Sequence, residues 1–156
     1  MRLFTEVCTR NLGHPEGVTA WARDHHLAVI VDPQATAIYG EGGSSWNVGL
    51  PSGSFVLALR SSTHACAVFG DKLDAGAVET AVQKMVDELK AAGSQVSVLK
   101  DDQAQTNLGR RHGVVYSIGN GRSRSLLLNV ITNERAGGAY QATIQVGVAG
   151  SGSPQP

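Results

Sequence analysis

Two cysteines, Cys8 and Cys66, are the only residues of this sequence able to form a covalent cross-link, and five histidines are its candidates for acid–base or metal chemistry. Cys8 ends a segment, Leu3-Phe4-x-x-Val7-Cys8, with apolar residues at helical spacing, while Cys66 sits in an apolar run of strand character. A bond between them would fasten a short helix to a sheet across a loop of about 58 residues, for which chain entropy gives about 4 kcal/mol of stabilisation. We favour that structural pair; two separate buried thiols and a reactive cysteine are the alternatives. Reactivity is the weakest of the three, because neither cysteine occupies a recognisable helix N-terminus, where a thiol pKa would fall.

His14, His25, His26, His64 and His112 include no His-x-x-x-His pair, the spacing that brings two imidazoles to one helical face around a metal. His25 and His26 are adjacent and suit a surface helix end, where a histidine complements the helix dipole. His64-x-Cys66 would need two further zinc ligands that the sequence does not nominate, so no metal and no cofactor is expected. Gly40-x-Gly42-Gly43 lacks the Lys-Ser/Thr of a phosphate loop, and no Gly-x-Ser-x-Gly marks a serine nucleophile. No catalytic residues are assigned.

Arg110 and Arg111 precede one expected strand, and Arg122 and Arg124 follow the turn at its other end. Two clusters about 25 Å apart at the strand rise read first as solvated charge, then as a patch for an acidic partner, and last as a nucleic-acid surface, since no aromatic residue interleaves with them. Tyr39 and Trp46 bracket the glycine-rich segment. Packing under a loop is the leading reading for both, and anchoring a partner protein is the functional one. The candidate partner-binding set is therefore Tyr39, Trp46, Arg110, Arg111, Arg122 and Arg124.

The chain carries 13 basic and 13 acidic residues, which removes bulk attraction as a reason to bind nucleic acid or anionic membrane. That balance hides a tilt: residues 1–102 hold 8 bases and 12 acids, whereas residues 103–156 hold 5 arginines against Glu134 alone. No apolar run approaches the roughly 20 residues of a membrane span. No leader pattern opens the sequence either, an absence that a removed leader would equally produce.

The elements that must carry these residues follow from periodicity. A short helix at Leu3 to Cys8 and a second one begun by His14-Pro15-Glu16, with the stripe Val18, Trp21 and Ala22, make a helical hairpin. From Leu27 to Ser45 short extended pieces are expected. Ser54 to Leu59 and Ala65 to Phe69 read as an antiparallel strand pair. Asp74 caps a long amphipathic helix with Val78, Val82, Met85, Leu89 and Ala92 on its apolar face, Gly93 as its stop, and a wet face that includes Glu79. Gln95 to Leu99 is a strand, and Asp101 to Gly109 a polar loop. Val114 to Ile118 and Arg124 to Thr132 flank an Asn120-Gly121 hairpin turn, and Tyr140 to Val148 alternates as the last strand. The reading is one α+β domain over residues 3–149, a mainly antiparallel sheet with helices on one face, followed by a flexible tail at 150–156.

The Phe4-x-x-x-Cys8 helix, the Pro-initiated helix, the strand pair ending in Cys66-Ala-Val-Phe69, the amphipathic helix and the terminal hairpins with Leu126-Leu-Leu128 and Tyr140-Gln141 resemble a family of small proteobacterial exported proteins and lipoproteins. The resemblance covers about residues 3–148 and rests on packing motifs. It implies export to the periplasm and a structural disulfide, and it brings no catalytic residues. The resulting expectation is a periplasmic binding or inhibitory protein, for instance an immunity-type partner of a secreted toxin. The rivals are a small hydrolase or transferase using His64, His112 and scattered serines, and nucleic-acid binding through the C-terminal arginines.

Overall fold

The computed structural model describes residues 1–32, 43–60, 64–119, 125–135 and 140–149. Within them a seven-stranded sheet carries all its helices on one face. The strands are β1 (Ser44–Leu50), β2 (Gly53–Arg60), β3 (Ala65–Gly70), β4 (Gln95–Thr106), β5 (Gly109–Gly119), β6 (Leu126–Asn133) and β7 (Ala142–Val148). Their spatial order is β1-β2-β3-β7-β6-β5-β4, and every pairing is antiparallel. Two meanders thus meet at β3 and β7, and the crossover between them is a single helix that moves the chain from the middle of the sheet to its far edge.

That crossover is α2 (Ala75–Ala91), preceded by α1 (Pro15–Asp24) and by a six-residue π-helical turn, Phe4–Thr9. Asp74 caps α2 as its sequence requires, accepting from the Ala77 amide at 2.7 Å. Beyond Ala92, Gly93 turns with φ +89° and lets the Ser94 amide reach the Leu89 carbonyl at 2.9 Å. Pro15 opens α1 with its fixed φ and missing donor where no intrahelical bond is needed. α1 ends where His25 stacks on Trp21, ring centroids 4.0 Å apart, and both adjacent histidines lie exposed at that helix end.

The core lies between the helices and the sheet face made by Trp46, Val48, Leu57, Cys66, Val68, Val114, Tyr116, Leu128, Val130, Ile144 and Val146. Val7, Cys8, Val18, Ala22, Val82 and Val86 close it from above. Cys8 and Cys66 are bonded, with Cα atoms 5.3 Å apart, inside the span a disulfide bridges. Both are buried in that core. The bond joins the π-helical turn to a central strand, so a segment too short to be helical in isolation is held by a covalent tie and by Phe4 and Val7.

One expectation is corrected here, and one choice between two readings is decided. The polar loop over Asp101 to Gly109 is strand: β4 runs on to Thr106 and turns through Asn107-Leu108 into β5, which begins at Gly109 rather than Val114. The alternation that marks strands is missing because β4 is an edge strand exposed along most of its length. Trp46 is the second. It is only 4% exposed, placed by β1 opposite Leu57 and bridged to Val29, and so is a core residue rather than a partner anchor. Tyr39, Arg122, Arg124, the Asn120-Gly121 turn and the tail at 150–156 lie outside the described residues.

Candidate functional site

An open groove of about 760 Å³ lies between one flank of α2 and the strands β5 and β6. Its floor is apolar, formed by Val114, Tyr116 and Val130, with Val82 and Ala91 on the helix side. Sheet parity decides what reaches it. Val114 and Tyr116 face the helices, so two residues earlier His112, and then Arg110, must face them as well. Arg111 necessarily points to the other side. The expected Arg110-Arg111 patch is therefore split between the two faces of the sheet, and adjacent residues of a strand cannot form one contact surface.

At one end of the groove β5 and β6 converge on Glu79 of α2. Its Oε1 accepts from Thr132 Oγ1 at 2.6 Å and lies 3.3 Å from His112 Nδ1, while Oε2 is 3.3 Å from Arg110 Nη2. The other imidazole nitrogen, Nε2, is 3.0 Å from Asp101 Oδ1 on β4. Asp101 owes its position to a bulge: pairing runs Val98 with Tyr116 and then Lys100 with Val115, skipping Leu99. One unpaired residue reverses the parity of the strand, and Asp101 instead of Lys100 faces the groove.

Glu79 is one of the residues expected to be wet, and it is not: its side chain is 25% exposed. Burial by itself would raise its pKa, but the Thr132 and His112 hydrogen bonds and the Arg110 charge outweigh that and hold the carboxyl below the usual carboxylate range. A lowered folded-state pKa adds stability that is present above the unfolded value and is lost as pH falls through the folded one. Glu79→Gln should therefore destabilise the protein at pH 7 and lose less stability than wild type on acidification below pH 5. Urea unfolding from pH 7 to 3 checks this; parallel acid limbs would show that the Glu79 network adds nothing.

The network does not resemble a hydrolytic centre. Each imidazole nitrogen faces a carboxylate, so neither is left to a substrate, and the Thr132 hydroxyl is 2% exposed and committed to Glu79. His64, the other histidine considered, is exposed just before β3, with β7 and β6 between that strand and β5. Because the imidazole lies between the two carboxylates, these groups do not converge on a point, and no cluster of three metal-ligating side chains occurs among the described residues.

Tyr116 is the other residue that the sequence did not single out. It is 8% exposed on the groove floor, and its hydroxyl has no hydrogen-bond partner among the described residues. Such an orphan commonly costs about 1–3 kcal/mol. Burial first, and then the charges of Asp101, Asp87 and Glu79, push the phenol above its usual pKa. Glu79 and Asp87 belong to α2 and line the groove with the phenol, and Asp101 belongs to the neighbouring strand β4. The one available sequence signal was that His112, Val114 and Tyr116 alternate on one strand face; what stands over that face was not legible.

In comparisons with known proteins, the chain matched no family model, no curated protein and no solved structure.

Proposed function

We propose that this protein is an exported, non-catalytic binding domain, of inhibitory or immunity type, that seats a segment of a partner protein in the groove between α2 and β5. The observation that carries this reading is the state of the groove's polar groups: His112, Glu79 and Thr132 are locked to one another, while the apolar floor beside them stands open. Groups fixed by their neighbours form a rigid recognition surface, whereas catalysis needs a lone pair or a hydroxyl free to react. The buried Cys8–Cys66 bond supports an oxidising compartment, where such bonds persist. Among the described residues no helix is long and apolar enough to cross a membrane.

Ala91 offers a direct test, because it is exposed on α2 and lines the groove without belonging to the core. Ala91→Trp should fill the groove and leave stability unchanged. Isolation from an extract of the source cells under oxidising conditions should recover a stoichiometric protein partner with the native chain and lose it with Ala91→Trp. Equal recovery by both, or none by either at several salt concentrations, would overturn the reading. A nucleic-acid role has less support, since Arg110 is held by Glu79 and Arg111 faces the opposite side of the sheet.

A further inference from the structure

We propose that the groove recognises an arginine presented by its partner protein, the guanidinium lying on Tyr116 between Asp87 and Asp101 and the flanking apolar residues covering Val114 and Val130. This inference rests on the groove being the binding site and adds the chemistry of its occupant.

Charge complementarity is the first support. Of the acids around the groove, Glu88 is 3.9 Å from Lys84, and Glu79 is held by Arg110. Asp87 has only the neutral amide of Gln83, at 2.9 Å, and Asp101 is 57% exposed with one imidazole contact. Of these two under-compensated carboxylates Asp87 lines the groove from α2, and Asp101 lies beside its floor on β4, paired with Val114 on the same face of the sheet.

Tyr116 is an independent support. A phenol more than nine-tenths buried, lining the groove and without a hydrogen-bond partner among the described residues, offers its hydroxyl to a ligand group. A guanidinium meets it twice, because an N–H can donate to the hydroxyl oxygen while the planar cation lies against the ring. The same five-donor fork can reach the carboxylates on both sides. An anion would be repelled by the walls, and a neutral apolar group would leave the hydroxyl unpaired.

The arginine is assigned to a protein for reasons of size and continuity. The groove of about 760 Å³ is far larger than one side chain needs. Beside the groove on β4, Val98 pairs with Tyr116 on the same face of the sheet and is 56% exposed, apolar surface that a small free cation would leave uncovered.

The test is a nitrogen-15 NMR titration of the full chain at low salt with the blocked pentapeptide Val-Leu-Arg-Leu-Val. Its variants with citrulline or glutamate at the centre, and arginine amide alone, are titrated beside it. The arginine peptide should shift Asp87, Val114 and Tyr116 in a saturable way and bind about tenfold more tightly than the citrulline peptide, which keeps the shape and loses the charge. Asp87→Asn and Asp101→Asn should each weaken it several-fold and leave citrulline binding unchanged, whereas Tyr116→Phe, which removes an acceptor that both side chains can use, should weaken both peptides. Citrulline or glutamate binding as well as arginine would overturn the cation assignment and leave the groove as a binding site. Arginine amide binding as tightly as the peptide would overturn the protein source. If none of the four probes shifts groove residues, both the inference and the proposed function fail.

Discussion

Replacing both cysteines, Cys8→Ala with Cys66→Ala, is expected to lower the free energy of unfolding by about 4 kcal/mol, the chain-entropy value for a closed loop of 58 residues. The effect is concentrated at one place. The π-helical turn Phe4–Thr9 has six residues and no side-chain cap, so it cannot persist as an isolated helix. It stays in position because Cys8 is bonded to β3 and because Phe4 and Val7, 1% and 0% exposed, are inserted between the sheet and α2. Without the bond, residues 3–27 should exchange their amides by a local opening well below the global unfolding energy, while β5 and β6 keep full protection. Urea unfolding of the oxidised protein and the double variant gives the total, and hydrogen exchange locates it. A loss below about 1 kcal/mol, or uniform loosening of the sheet, would show that the bond does not anchor the segment.

Leu128→Ala is expected to cost about 3–4 kcal/mol, the upper part of the usual range for a buried leucine. Leu128 is 1% exposed in the middle of β6, directly beside Tyr116 of β5 and Val146 of β7. It already borders a slot of about 200 Å³ lined by Phe4, Met85, Leu89, Ile118 and Leu126. Its loss would extend that apolar void, which the surrounding strands are too constrained to fill, and residual cavity volume is what raises the cost of a truncation. Leu127→Ala is the control. It is next in sequence, half-buried on the other face of the sheet, and its loss should cost about 1 kcal/mol or less. Equal destabilisation by the two would contradict the register of β6. A change in the denaturant slope of Leu128→Ala would instead point to an altered denatured state.

The contrast between Leu127 and Leu128 shows how much of the fold was legible in advance. Period-two alternation placed Ala142, Ile144 and Val146 of the last strand on the buried face they occupy, whereas Tyr140, expected with them, precedes β7 and packs against the cluster of Val56, Ala58, Ala67 and Phe69. Period-three-and-four spacing assigned Val78, Val82, Met85 and Leu89 their inward face, and Asp74 and Gly93 bracketed α2 correctly. These are local signals, because one buried face imposes a pattern on the residues that form it. Where neither face is buried there is no pattern to read. The edge strand β4 therefore passed for a loop beyond Leu99, and β1 was lost among its serines and glycines.

The candidate site was hidden for a different reason. Glu79 sits at the margin of the apolar stripe of α2, three residues before Val82, where a sequence shows a carboxylate on a helix and nothing of its surroundings. Its partners are Arg110, His112 and Thr132, 31 to 53 residues away, and Asp101 reaches His112 only because a bulge at Leu99 reverses the strand. Local periodicity and composition by themselves determined α1, α2 with its cap and stop and the β2–β3 pair, and they favoured the cysteine pair over two separate thiols. The tertiary structure alone decided that α2 crosses beside β5 and leaves a groove, that Arg110 reaches Glu79 while Arg111 parts to the opposite face, and that the Tyr116 phenol lines the groove floor with Asp87 on the helix above it. Each of these depends on contacts between distant segments, which only the packing of the helix against the sheet brings together.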